Sequence, residues 1–269
     1  MIRGLLSQIF RKLKLLYFLD ILRFKYQKIR NYKKNKKFIK QNSNIVLPPN
    51  YMMYESFQIN YNKYFFDGKD TAEWLMNQFG KYKKLENLNI LDWGCGPARI
   101  IRHLSELTQD CSFFGTDYNN KTIKWCNENI KNVKFSQNNL VPELSYEDNF
   151  FDLIYGISIF THLSEEMHHK WFEELIRILK TGGILLLTTQ GNDFKQKLTA
   201  KESVDFKNGK LIVRGKVKEG HRTYSAFQPE SFMKKLLKSV KILDHIEGEK
   251  LSNSPEQDIW IIQKQEMNV

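Results

Sequence analysis

The sequence predicts an α/β fold on a mostly parallel sheet, and three observations carry that expectation. Asn89-Ile90-Leu91-Asp92 is a short apolar strand that runs into a turn with two glycines, Gly94 and Gly96. An amphipathic helix from Arg99 to Leu107 follows, with Ile100, Ile101, Leu104 and Leu107 on one face. A second strand, Ser112 to Thr116, ends at Asp117, about twenty residues past the glycine turn. Further on, Ile184-Leu185-Leu186-Leu187-Thr188-Thr189 is a nearly unbroken apolar run, the pattern of a strand covered on both faces.

The order strand, Gly-x-Gly, helix is what a nucleotide-type ligand needs. Glycines let the backbone come close, and the next helix presents unpaired N–H groups. An acid after the second strand can accept both hydroxyls of a ribose. Each feature also has a plain structural use. A lone Gly-x-Gly makes a tight strand-to-helix turn, and Asp117 suits the N-cap of a helix over Asn119–Ile130. The turn reads Gly-Cys-Gly-Pro-Ala, without a glycine at the sixth position, which disfavours a dehydrogenase.

These blocks resemble the class I S-adenosylmethionine (SAM)-dependent methyltransferases, of the bacterial small-molecule and glycan type. The likeness rests on LDWGCGPAR, GTDY, FDLIYGISIFTHLSEEM and LKTGGILLLTTQG, in that order over roughly residues 89–190, and more loosely on GHRTYSAFQPESF and QDIWIIQK. Ala98 stands where the family's third glycine falls. The resemblance implies a Rossmann-like, seven-stranded, mostly parallel sheet with helices on both faces, and SAM as cofactor. It makes Asp92, Gly94, Cys95, Gly96, Arg99, Asp117 and Tyr118 cofactor-binding residues, with Asp117 at the ribose. Asn138, Asn139 and Leu140 stand where the family binds adenine. Gly156 and Ile157 end the strand that should line the methyl-transfer site. Cys95 is expected mainly to pack as a small side chain, and Arg99 to brace the loop or meet the methionine carboxylate.

A chain of 269 residues suits one large α/β domain with an attached arm, divided here as 1–50 and 51–269. Three cysteines without metal-ligand spacing, and no signal-peptide cleavage site, point to a reducing cytoplasm. Charge is uneven. Residues 1–40 hold thirteen Lys or Arg and one acid, Asp20, while the remaining residues balance at 29 and 29. The body is therefore not a broad phosphate-tracking surface, and nucleic acid is a disfavoured partner.

In residues 1–30, Ile2, Leu5, Leu6, Ile9, Leu13 and Leu16 recur at helical spacing, with Arg3, Arg11, Lys12 and Lys14 largely on other faces. Charged residues interrupt the run before it could span a bilayer. A basic amphipathic helix fits the face of an anionic membrane; packing on its own domain, on a second copy or on RNA are the alternatives. Residues 31–50 read as a lysine-rich linker, and the aromatic segment from Tyr51 to Phe66 as packing against the sheet or a cap over the cleft. Asp70-Thr71-Ala72-Glu73 has the pattern of a capping box opening a helix to Phe79. Residues 191–227 are expected to form a substrate lid. In it Val204–Lys207 and Lys210–Val213 read as a hairpin on the Asn208-Gly209 turn. Residues 240–246 and 258–264 should close the sheet as a strand pair.

Methyl transfer from a sulfonium chiefly needs positioning and a dry pocket. A hydroxyl acceptor also needs its proton removed, and His162, on the loop after the fourth strand, is the first candidate base. His221 and Tyr224 on the lid are rivals, and a plain turn capping the helix from Ser164 is the alternative for His162. His103 reads as structural, and His168 and His169 as solvent-facing. No carboxylate set suggests a metal. The Asn/Asp-Pro-Pro-aromatic signature of amino-group methylation is absent, with Gly156-Ile157-Ser158-Ile159 in its place. The expected function is SAM-dependent methylation of a small-molecule or glycan acceptor, more readily at oxygen. An RNA methyltransferase tethered by the basic arm and a silent SAM-binding scaffold are the other readings. An oligomer is compatible with either.

Overall fold

The computed structural model describes residues 8–13, 15–108, 110–249 and 255–266. Seven strands form one sheet, mostly parallel, in the spatial order 133–137, 112–117, 89–93, 151–156, 179–189, 258–263 and 241–246, and two more form a separate pair. The chain divides into two compact units, Tyr17–Asn138, and Met1–Leu16 with Asn139–Val269.

The unit over 17–138 opens with α1 (Leu16–Gln41), followed by α2 (Asn50–Ser56) and α3 (Tyr61–Gly80). The lysine-rich stretch read as a linker is thus helical as far as Gln41, because nothing in it breaks a helix before Pro48-Pro49. α3 starts well before the expected capping box. Asn60 is its N-cap, accepting from the Lys63 N–H at 3.1 Å, and Asp70 lies mid-helix. Then come β1 (Asn89–Trp93), α4 (Ile101–Leu107), β2 (Ser112–Asp117), α5 (Asn120–Asn129) and β3 (Val133–Gln137). β2 pairs in parallel with both β1 and β3, bringing Trp93 opposite Thr116 and Asp117 opposite Gln137. Right-handed βαβ units of this kind leave their connecting loops at the strands' carboxyl ends.

The second unit carries β4 (Phe151–Gly156), α6 (Glu165–Ile178) and β5 (Leu179–Thr189). Ser164 caps α6, accepting from the Met167 N–H at 3.3 Å, with Glu165 and Glu166 in the positive first turn. β5 begins directly after the helix, so Gly182-Gly183 lies inside the strand, where the β4–β5 register shifts and Gly182 takes φ +75°. β9 (Asp258–Gln263) runs antiparallel to both β5 and β8 (Lys241–Ile246), the closing pair read from the sequence.

The expected hairpin at 204–213 is not formed. Thr199 and Glu202 make a complete capping box, and α7 (Ala200–Lys207) takes up the first half of the segment. Asn208-Gly209 ends this helix instead of turning a hairpin. β6 (Ile212–Arg214) then pairs antiparallel with the later β7 (Ser225–Phe227), and α8 (Glu230–Leu236) follows. Phe194, Leu198, Phe206, Ile212 and Phe227 bury together as a small separate core.

The apolar residues expected at positions 2, 5 and 6 lie outside the described residues. Residues 8–12 are helical. Arg11, read as part of the solvated face, is buried: its guanidinium donates to the carbonyls of Arg214 (2.7 Å), Gly215 (2.9 Å) and Thr223. Gln8 donates to Glu202 at 3.0 Å. This stretch packs on its own chain, around residues 202–223. Among the described residues, no helix is long and apolar enough to cross a bilayer.

Candidate functional site

The glycine turn is shaped by backbone conformations that favour glycine. Gly94 has φ +77° and Gly96 φ +50°, and Ala98 follows at φ +60°. The Gly94 and Cys95 N–H groups both donate to the Thr116 carbonyl, at 2.8 and 2.9 Å, tying the turn to β2. The Asp117 carboxylate then takes one N–H on each oxygen, from Gly96 at 3.1 Å and from Asn119 at 2.8 Å. Burial pushes this carboxyl up to about 6, against the pull of those two N–H groups. Asp117 is therefore not the cap of α5; Asn119 is, accepting from Thr122.

The neighbouring side chains enclose the turn. A Cβ on Gly96 would lie 3.0 Å from the Ser56 Cβ at the end of α2, a tight contact that adds to the strain any side chain would meet at this positive φ. Glu55 accepts from the Asn119 amide at 3.2 Å. Arg99 braces the loop: its guanidinium lies 4.6 Å over the Phe57 ring and donates to the Thr71 hydroxyl at 3.4 Å. Tyr64, fully buried, donates to the Pro97 carbonyl. The aromatic segment thus packs on the turn. Cys95 is buried and burial holds its thiol well above its ordinary value, which suits the packing role. Gly115 escaped the sequence reading, yet a Cβ there would collide with the Phe135 ring and lie 3.1 Å from the Cys95 sulfur. Asp92 is buried, and Tyr118 is half-buried, its hydroxyl pushed up to about 12 by burial. Asn138 is buried with its N–H on the Asp117 carbonyl at 3.1 Å.

This donor set fits a nucleoside. Each Asp117 oxygen takes one backbone N–H in the contacts above and so keeps capacity to accept a ribose hydroxyl. Gly94 and Gly96 leave the turn free of side-chain bulk on the ligand's approach.

The second unit holds the remaining candidates. Asn139 is exposed, and the Leu140 carbonyl accepts from Trp171 at 3.0 Å. Gly156 ends β4 opposite Leu187, and Ile157 is half-buried. Ser158 takes φ +63°, held by its N–H on the Thr188 hydroxyl and its own hydroxyl on Gln257, both at 2.8 Å. That brace was not legible in the sequence, since Gln257 lies 99 positions away.

His162 sits in a one-turn helix, Phe160–His162, after β4. Its Nδ1 lies 2.7 Å from the Tyr224 carbonyl, and a carbonyl can only accept, so Nδ1 carries the proton. Nε2 is left with its lone pair and has no hydrogen-bond partner among the described residues. Burial lowers the pKa of this imidazole below its ordinary value, with Arg222 and His221 adding to the effect against the Tyr224 carbonyl. His162 is neutral at neutral pH.

The rivals fare differently. His221 Nδ1 accepts from the Thr223 hydroxyl and N–H, at 2.8 and 3.3 Å. The Tyr224 phenol is buried, and burial raises its pKa, so it holds its proton; its carbonyl, not its hydroxyl, orients His162. His168, expected at the surface, is fully buried. Its Nδ1 donates to the Ser164 carbonyl at 2.7 Å and its Nε2 accepts from Gln228 at 3.0 Å, while burial lowers it to about 4. Gln228 also donates to the Phe160 carbonyl and accepts from the Gln190 N–H. His169 is exposed and His103 buried against Phe65, as read. Among the described residues, no three His, Cys, Asp or Glu side chains gather as a metal site.

Residues 90–183 match a family described as a methyltransferase domain. Over 100 residues the chain is 34% identical to the tRNA (carboxymethyluridine(34)-5-O)-methyltransferase of Arabidopsis thaliana, covering 37% of this chain and 23% of that protein. Over 106 residues it is 29% identical to the phosphoethanolamine N-methyltransferase of Plasmodium falciparum, covering 38% and 39%. The chain thus spans only 23% and 39% of these relatives' own lengths. In fold, it is similar to a SAM-dependent methyltransferase from Methanosarcina mazei, with TM-score 0.54 and 21% identity over 70% of this chain and 97% of that one.

Proposed function

We propose that the chain is a class I S-adenosylmethionine-dependent methyltransferase that methylates a hydroxyl oxygen of a small-molecule or glycan acceptor, with His162 taking the proton; the methyltransferase-domain match over residues 90–183 and the similar fold support this. The observation that carries this reading is the tautomer of His162: Nδ1–H fixed on the Tyr224 carbonyl, the ring kept neutral, and Nε2 unengaged. A base of this form is ready to accept a proton without first losing one.

Gly94, Gly96 and Asp117 would hold the glycine-turn side of the cofactor, with the ribose hydroxyls on Asp117. When bound, SAM supplies an electrophilic methyl group on a sulfonium. With SAM bound, His162 would take the acceptor's hydroxyl proton on Nε2 and pass it to water, while the C–O bond forms as the sulfonium's S–CH3 bond breaks and the neutral thioether leaves. The Tyr224 carbonyl favours the imidazolium while that proton is held. The lid core sets the shape available to the acceptor.

A second reading follows from the Arabidopsis relative, which by name methylates oxygen on a tRNA, and from the thirteen basic residues among the first forty. It makes RNA the acceptor. The two separate in one experiment: methyl-labelled SAM and the full chain are incubated with a methyl-depleted extract, then resolved into saccharide, small-molecule, RNA and protein fractions. Label in saccharide or small molecules, lost on His162→Ala, is the expected result. Label confined to RNA replaces this reading with the second. SAM binding without label in any fraction leaves the silent scaffold.

A further inference from the structure

α1 is amphipathic in an inverted sense. The face it turns inward is rich in polar residues: Asp20, Gln27 and Asn35 recur at helical spacing with Phe24 and Phe38. Tyr54 donates to the Asp20 carboxylate at 2.7 Å, Gln27 accepts from the Ile59 N–H at 3.1 Å, and Asn35 accepts from the Tyr61 N–H at 3.0 Å. Phe24 meets Tyr51 and Tyr54 edge-on, and Phe38 meets Tyr61 and Phe66. The outward face carries Phe18, Leu22 and Ile29 as a stripe, flanked by Tyr26 and Tyr32, with Ile29 76% and Phe18 58% exposed. Interleaved with them, Arg23, Lys25, Lys28, Arg30, Lys33, Lys34, Lys36, Lys37 and Lys40 are all exposed. The helix's one acid, Asp20, is engaged inward.

From this we infer that the outward face of α1 docks on an anionic lipid bilayer, lying on it rather than crossing it. The charge decides the occupant. A second copy seated on the same face would oppose cations to cations, with no acid available to pair them. RNA would use the lysines but gain little from Phe18, Leu22 and Ile29, whose aliphatic and phenyl groups have no partner in a phosphate backbone. A bilayer uses both. The apolar stripe enters the headgroup boundary, the Lys and Arg stems run along it to reach lipid phosphates, and the tyrosines sit at the interface. This inference goes beyond the proposed chemistry and does not depend on which acceptor is methylated.

The test uses the full chain with vesicles of phosphatidylcholine alone, and with about 30% phosphatidylserine added. The expected result is binding to the phosphatidylserine vesicles that weakens as salt rises. The triple variant Phe18→Ser, Leu22→Ser, Ile29→Ser should lower that binding at least about tenfold. So should Lys25→Glu, Lys28→Glu, Lys33→Glu. All six side chains are exposed, so helix content and melting temperature should stay as in the parent, and vesicle binding is read against that control. The inference is overturned by equal binding to both vesicle types or by no binding. Binding that survives either variant, self-association that the serine variant abolishes, and RNA binding without vesicle binding each overturn it as well.

Discussion

His162 and His168 share a tautomer and a cause for being neutral, and differ at one atom. Both donate from Nδ1 to a backbone carbonyl at 2.7 Å. The Nε2 of His168 is spent on Gln228, while that of His162 is unengaged among the described residues. His168 is accordingly structural. His168→Leu should lower stability by about 1–3 kcal/mol, because a buried Gln228 N–H loses its acceptor; a melting curve matching the parent would contradict that. His162→Ala should lower kcat by about 10²–10⁴-fold while leaving SAM affinity unchanged. The pH dependence has a definite sign. As the proposed base His162 would work as neutral imidazole, and burial lowers its pKa, so at saturating SAM the acid limb of kcat should fall below the ordinary value of 6.5. A limb at or above that value would exclude His162 as the base. The adjacent histidines at 168 and 169 could not be told apart in sequence, since only packing against Gln228 decides which one is buried.

At the scale of elements, the two misplaced helix starts share one cause: two local signals competed, and the stronger cap won. Asn208-Gly209 between alternating residues suggested a hairpin, but Thr199 and Glu202 satisfy two N–H groups at once and start α7 instead. Asn60 likewise started α3 a full ten residues before the Asp70 pattern. The N-terminal stretch was misjudged for a different reason. Arg11 looks like a solvated charge in sequence, and its three carbonyl partners lie more than 200 positions away. Arg11→Ala should cost about 1–3 kcal/mol by leaving those carbonyls without a donor, and should speed amide exchange across residues 212–224. Arg11→Lys should recover little, since one ammonium cannot reproduce the planar fork. Unchanged exchange in Arg11→Ala would show that the clasp does not hold residues 212–224.

The sheet and the cofactor half of the molecule were far more legible, because their signals are local and mutually consistent. Strand, glycine turn, helix, strand and Asp117 all fall within thirty residues, and each demands the next. The part proposed to meet the acceptor draws on residues 158, 162, 188, 224, 228 and 257, whose relation is set by the fold alone. The most direct measurement is calorimetric titration of SAM into the full chain and into Asp117→Ala near neutral pH. The parent should bind, with affinity that weakens as the pH drops below about 6, where Asp117 takes up a proton and loses acceptor capacity. Asp117→Ala should raise the Kd about 5–150-fold, equivalent to about 1–3 kcal/mol. A parent that does not bind SAM, or a variant that binds it equally well, would contradict the placement of the cofactor on this turn.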